Sequence, residues 1–200
     1  GVIGRARRTD VKAFTDRADL ILAVGYDPIE INYEEWVANP PVVHISGETA
    51  EVNSEISFAW NKACDLDQAV EAMTKMPPFS NEWDMADWRN HRHALERSLR
   101  PEIQGFALHH LLDILREKLP PDGILAYDVG AHTHQIASQW RTDHAKTLLA
   151  TNGWSSMGYG MPAAFAAKLI FPERRVVAVV GDGGFQMTVG ELALARRLNL

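Results

Sequence analysis

Gly181-Asp182-Gly183-Gly184-Phe185 follows directly on the apolar run Val176-Val177-Ala178-Val179-Val180 and leads into the helical pattern Glu191-Leu192-Ala193-Leu194-Ala195. Glycines at the end of a buried strand let backbone N–H groups approach a bound anion, and an aspartate among them can hold a hard divalent cation. Strand, glycine turn, acid and helix together can grip a diphosphate through a metal ion. Taken alone, a glycine turn before a helix is more often a plain connection. Two further loops strengthen the pattern: Asp128-Val129-Gly130-Ala131-His132 and Asn152-Gly153-Trp154-Ser155-Ser156-Met157-Gly158. Each follows an apolar run, and in an open parallel sheet the carboxyl ends of the strands face one crevice where ligands bind.

The elements that must position these loops are two α/β segments flanking a linker. In the first, Leu20–Val24 and Val42–Ile45 read as buried strands, with helices at Asp10–Asp19 and Leu66–Met73. Met76-Pro77-Pro78-Phe79-Ser80 is a break that no helix carries, and a polar, Trp- and Arg-rich helix follows to about Arg100. In the second, Ile103–Leu119 reads as a helix, Ile124–Tyr127 as a strand, then a helix through Trp140 and a short strand Thr147–Ala150. Gly160-Met161-Pro162 starts a small-residue helix, with proline in the first turn where its missing N–H costs nothing. Thr188-Val189-Gly190-Glu191 matches a capping box for the last helix, which makes Glu191 a capping partner. Strands separated by crossovers imply an α/β fold of open parallel sheets with flanking helices.

Composition bounds the class. The 200 residues are 46% hydrophobic, enough for a sizeable core, and the net charge of -6 with interspersed signs argues against a nucleic-acid surface. No apolar run approaches the roughly 20 residues of a membrane span, so no membrane partner is expected. Cys64 is the single cysteine, which excludes an internal disulfide and fits a reducing, cytoplasmic setting. Arg5, Arg7 and Arg8 read as a solvated face. His91 and His93 lie two apart, off any common helix face, and so make no metal site. The start at Gly1 and the stop at Asn199-Leu200, where a helix should feed another strand, suggest an internal piece of a longer protein.

The run from Asn152 to Ala164, followed after a strand by Gly181-Asp182-Gly183-Gly184-Phe185, resembles the thiamine-diphosphate-dependent decarboxylase and carboligase superfamily, of acetolactate synthase and pyruvate oxidase type. The resemblance extends over nearly the whole chain. It implies three parts: residues 1–75 as the C-terminal half of a Rossmann-like middle domain, 76–100 as a linker, and 101–200 as the N-terminal part of the thiamine-diphosphate-binding domain. Gly25-Tyr26-Asp27-Pro28-Ile29-Glu30, with Trp36 beyond it, resembles the catabolic, flavin-independent acetolactate synthases. Flavin-containing relatives carry an arginine-bearing stretch here, and no arginine occurs between Gly25 and Ile45, so FAD is not expected.

The resemblance also implies roles. Asp182 would ligate Mg²⁺, which bridges the diphosphate oxygens. Gly183 and Gly184 would bring backbone N–H groups to the diphosphate, as would Gly130, Ala131 and His132, the last through its backbone or its side chain, and Gly181 would belong to the same cofactor-binding turn. Met157 would wedge between the two cofactor rings, beside Ser156, and the backbone carbonyl of Ser155 would receive the aminopyrimidine's amino group. Bending the cofactor brings that amino group close to the thiazolium proton, which is proximity catalysis. The family's catalytic glutamate belongs to another domain, so no catalytic residue is assigned in this chain, Glu191 included. The substrates implied are 2-keto acids such as pyruvate, and the assembly a homodimer or homotetramer with active sites between subunits.

Each residue has a structural counterpart. Met157 could be core filler, Asp182 a helix cap, and Asp27 and Glu30 members of a solvated turn. A simple 2-keto acid decarboxylase or a pyruvate-oxidase-like enzyme is the alternative within the superfamily. Outside it stand a dinucleotide-binding module, which lacks its Gly-x-Gly-x-x-Gly fingerprint here, and a catalytically silent relative.

Overall fold

The computed structural model describes residues 8–29, 33–37, 39–52, 55–78, 83–151 and 154–200. Arg5, Arg7, Glu30 and the pair Asn152-Gly153 lie outside the described residues. The chain divides into two compact units, Gly1–Arg97 and Ser98–Leu200. Each is an α/β unit built on a three-stranded parallel sheet, the parallel α/β class that the patterning predicts.

In the first unit, α1 (Arg8–Thr15) precedes β1 (Ile21–Val24), β2 (Val42–Ser46) and β3 (Phe58–Ala63), which pair in the order β1-β2-β3, with α2 (Leu66–Thr74) closing the sheet. Asp65 caps α2 by accepting from Gln68 N–H at 2.9 Å. The core gathers Ala23, Tyr33, Trp36, Val37, Val42 and Ala50. Trp36 Nε1 donates to the Tyr26 hydroxyl at 3.0 Å, and the Tyr33 hydroxyl bonds His44 Nδ1 at 2.8 Å. Tyr26 and Trp36 are thus tied to each other in the packing of this unit. Asp27 makes a local turn, accepting from Ile29 N–H at 2.8 Å. The polar, Trp- and Arg-rich helix is α3 (Met85–Ser98), where His91 stacks on Phe14.

The second unit holds the glycine loops. α4 (Leu108–Lys118), β4 (Ile124–Tyr127), α5 (Ala131–Gln139), β5 (Leu148–Leu149), α6 (Gly160–Ile170) and β6 (Val176–Val179) follow in turn, then α7 (Asp182–Thr188) and α8 (Leu192–Leu198). The strand order is β5-β4-β6, so β4 is central and all four of its residues are buried. Leu112, Leu119, Leu125, Tyr127, Ile136 and Trp140 form the core beside it. Gly160 opens α6 against the sheet: a Cβ there would lie 2.9 Å from Val180 Cγ1 and 3.0 Å from Asp128 N. Small residues let this helix approach closely, and Pro162 sits in its first turn.

Three expectations need correction. The helix expected from Ile103 begins only at Leu108, because Gly105 adopts a φ of +90°, outside helical geometry. The expected capping box at Thr188–Glu191 does not form. α7 starts at the glycine turn itself, and Thr188 ends it without a side-chain cap bond, its hydroxyl donating back to Gly184 O at 3.3 Å. Glu191 closes a 3-10 turn, Val189–Glu191, ahead of α8. Finally, β3 is a strand the sequence patterning does not reveal. Among the described residues, no helix is long and apolar enough to cross a membrane.

Candidate functional site

The chain leaves β4 for β5 on one side and returns past it to β6 on the other. Such a reversal opens a crevice at the carboxyl ends of the strands. All three glycine loops leave the sheet at those ends, and Asp128 N–H extends the β4–β6 ladder with a bond to Val179 O at 3.1 Å.

The Asp128 side chain, only 1% exposed, ties the loops together. Val129 N–H donates to its Oδ1 at 2.7 Å. Gly158 N–H, thirty residues on, reaches Oδ2 at 2.8 Å and Oδ1 at 3.1 Å. From the third loop, Gly184 presses against the same carboxylate: a Cβ added there would lie 2.8 Å from Asp128 Cγ and overlap Oδ2. Only glycine fits that approach. Gly158 itself has a φ of +83°, which a residue with a side chain adopts only under strain.

His132 joins the first and third loops. Its ring lies 3.0 Å from where a Cβ on Gly130 would be and 3.5 Å from where one on Gly181 would be. Its Nε2 is buried without a hydrogen-bond partner. An unpaired buried ring nitrogen costs free energy unless a ligand or water completes it. Thr133 organises the same turn, its hydroxyl accepting from Gly130 N–H and donating to Asp128 O, each at 3.0 Å. Met157 reaches the third loop, its Cε 2.7 Å from the position a Cβ on Gly183 would take.

Gly130, His132, Met157, Gly181, Gly183 and Gly184 are therefore brought together in one crevice. Asp182 is exposed at the first position of α7. The first intrahelical bond there runs from Phe185 N–H to Gly181 O at 2.9 Å, and helix geometry leaves the N–H groups of residues 182–184 without acceptors inside the helix. Ala131 is exposed at the start of α5. Ser155 and Ser156 are exposed beside Met157. Ser155 has a φ of +47°, an unusual backbone state for a non-glycine residue, and Ser156 N–H donates to Thr151 Oγ at 3.4 Å.

Among the described residues, no group of three or more His, Cys, Asp or Glu side chains gathers as a metal cage. A separate cavity of about 530 Å³ opens beside Val176–Ala178, lined by Leu115, Leu119, Phe165 and Leu200. It is largely apolar and none of the glycine-loop residues lines it, so the loop crevice is the better site on chemical grounds.

Comparison with known proteins defines the class. Residues 128–200, which carry the three loops, match the thiamine pyrophosphate enzyme, C-terminal TPP binding domain. The chain belongs to the superfamily of thiamine-diphosphate-dependent enzymes, acetolactate-synthase-like. It is 31% identical to the acetolactate synthase large subunit of Lactococcus lactis, over 88% of this chain and 32% of that protein. It is likewise 31% identical to the catabolic acetolactate synthase of Raoultella terrigena, over 92% of this chain and 34% of the relative. The acetolactate synthase of Bacillus subtilis is 26% identical over 99% of this chain and 36% of its own length. The chain spans about a third of the length of these relatives.

The sequence signal located the three loops. It did not single out Asp128, whose partners lie far away in the chain, nor Gly160, whose role appears only where α6 meets the sheet.

Proposed function

We propose that this chain is part of a thiamine-diphosphate- and Mg²⁺-dependent carboligase that decarboxylates a 2-keto acid such as pyruvate and joins the two-carbon unit to a second keto acid. One observation carries the reading: three glycine loops converge at the carboxyl end of a switch-point sheet, in the segment that matches the TPP-binding domain. The partnerless His132 Nε2 and the crevice lined by glycines fit a polyanion, which would supply acceptors for donors that the fold leaves unmet.

When bound, thiamine diphosphate supplies the electron sink that decarboxylation of a 2-keto acid requires. The chain's own residues bind and orient it. Gly181, Gly183, Gly184, Gly130 and Ala131 offer backbone N–H groups to the diphosphate, and His132 adds a ring nitrogen. Asp182 contributes one carboxylate to Mg²⁺. Met157, flanked by Ser156, would pack against the cofactor, and the Ser155 carbonyl would accept a hydrogen bond from its aminopyrimidine. Residues 1–75 would be the back half of the middle domain, 76–100 a linker, and 101–200 the front of the diphosphate domain.

The apolar side chains exposed around the site, Trp154 at 94% and Met187 at 64%, suit a partner surface and support a homodimer or homotetramer. The similarity to large-subunit and catabolic synthases alike is compatible with this reaction, and the absence of arginine between Gly25 and Ile45 favours the flavin-free form.

The test is to incubate the native protein with pyruvate, thiamine diphosphate and Mg²⁺ and to follow carbon dioxide and acetolactate together. Both products are expected. Carbon dioxide with aldehyde or acetate would overturn the carboligase reading in favour of a decarboxylase or an oxidase.

A further inference from the structure

The Asp128 carboxylate is engaged by the loops themselves rather than presented at the surface of the crevice. It is buried, and both of its oxygens already accept from backbone N–H groups. A carboxylate accepts hydrogen bonds and donates none, so three N–H···O contacts from two loops use it in the one way open to it. On its remaining side it abuts Gly184. Burying such a group is costly without these bonds, so the loops and the acid hold one another in place.

We propose that Asp128 is the positioning residue of the diphosphate cradle. It latches the loop ending at Gly158 to the end of β4 and sets the seat against which Gly184 of the third loop rests. The proposal rests on the thiamine-diphosphate reading for the identity of the ligand, but its geometry stands on the observed bonds. Two partners are far off in the chain, and both are glycines: one gives its N–H, the other its lack of a Cβ. The contact is therefore between side chain and backbone, and it orients the main chain on which the cradle's N–H groups are carried. Met157 precedes Gly158, so the latch also fixes the approach of Met157 to Gly183.

The variants Asp128→Ala and Asp128→Asn separate this role from general stability. Thiamine diphosphate affinity in the presence of Mg²⁺ is read by calorimetric titration of the native protein. Hydrogen exchange is read by mass spectrometry on peptides covering Val129 and Gly158. The alanine variant should lose about 10- to 100-fold in affinity, the range seen when groups that orient direct ligands are removed, and exchange at Val129 and Gly158 should quicken. The asparagine variant keeps one acceptor oxygen, which Val129 and Gly158 can share, and should fall between alanine and wild type.

A residue of purely structural importance would lower the unfolding temperature and leave the affinity measured below it unchanged. That result would overturn the proposal, as would unaltered exchange at both amides. If the alanine variant does not fold, the asparagine variant decides: unchanged affinity refutes the latch. Wild-type protein that fails to bind thiamine diphosphate would overturn the ligand reading and the proposal with it. Wild-type binding with unaffected variants would overturn the role of Asp128 alone.

Discussion

Gly184→Ala tests the packing of the crevice most directly, because two effects of opposite sign compete. Gly184 lies inside α7, where replacing glycine by alanine ordinarily favours the helix by about 1 kcal/mol. Here the new Cβ would sit 2.8 Å from Asp128 Cγ. Overpacking of this kind costs about 1–3 kcal/mol. Asp128 cannot swing away cheaply, since retreat would break at least one N–H bond to a charged acceptor, worth about 1.5–3 kcal/mol. The net expectation is a loss of about 2–4 kcal/mol in stability. Urea unfolding followed by tryptophan fluorescence measures it, with Gly190→Ala as the control. A Cβ on Gly190 meets nothing within 4 Å, so that change should be neutral or stabilising by up to about 1 kcal/mol. A Gly184→Ala protein as stable as wild type would refute the close-approach argument.

Other expectations follow from the same geometry. Gly183→Ala meets only the mobile tip of Met157, so it should cost less than about 1 kcal/mol while weakening cofactor binding, which calorimetry would show. Asp182→Ala removes an exposed side chain and should leave the unfolding midpoint unchanged, while Mg²⁺-dependent binding of thiamine diphosphate falls by more than about tenfold, the equivalent of one charge-assisted contact. Arg100 donates to Asp113 at 2.7 and 2.9 Å and holds its carboxyl below the usual carboxylate range, with Gln139 adding to the effect against partial burial. A lowered folded pKa stabilises above the unfolded value, and that contribution is lost as pH falls from about 4 through the folded pKa. Both side chains are more than a third exposed, so Asp113→Asn should remove less than about 1 kcal/mol of acid sensitivity, read from unfolding curves between pH 6 and roughly pH 2.5.

Much of the second unit was legible because its signals are local. Ile124–Tyr127 is a continuous apolar run bounded by Gly123 and Asp128, and it forms β4 with those limits. Pro162 marks the first turn of α6 in the same way. Phe58–Ala63 was not legible as a strand: it alternates imperfectly, carries Asn61 and Lys62, and lies at a sheet edge where half-exposure blurs the pattern. Asn61 instead bridges both backbone groups of Ala50, each at 2.9 Å. The Thr188–Glu191 motif misled because a helix had already begun upstream, and a capping box has meaning only where backbone N–H groups are still unpaired. At the site, the three loops were visible as glycine clusters. Their joining through Asp128 was not, since contacts thirty and more residues apart leave no mark in spacing.

On the Gly158 side, the bond to the Asp128 carboxylate is made by main chain alone. The loop before it is therefore anchored at one point and indifferent, at that anchor, to what its neighbours are. Trp154, Ser155 and Ser156, all exposed, can drift through mutation without loosening the hold on the sheet. Descendants of one ancestor could thus rewrite the rim of the pocket many times over and inherit its floor unchanged.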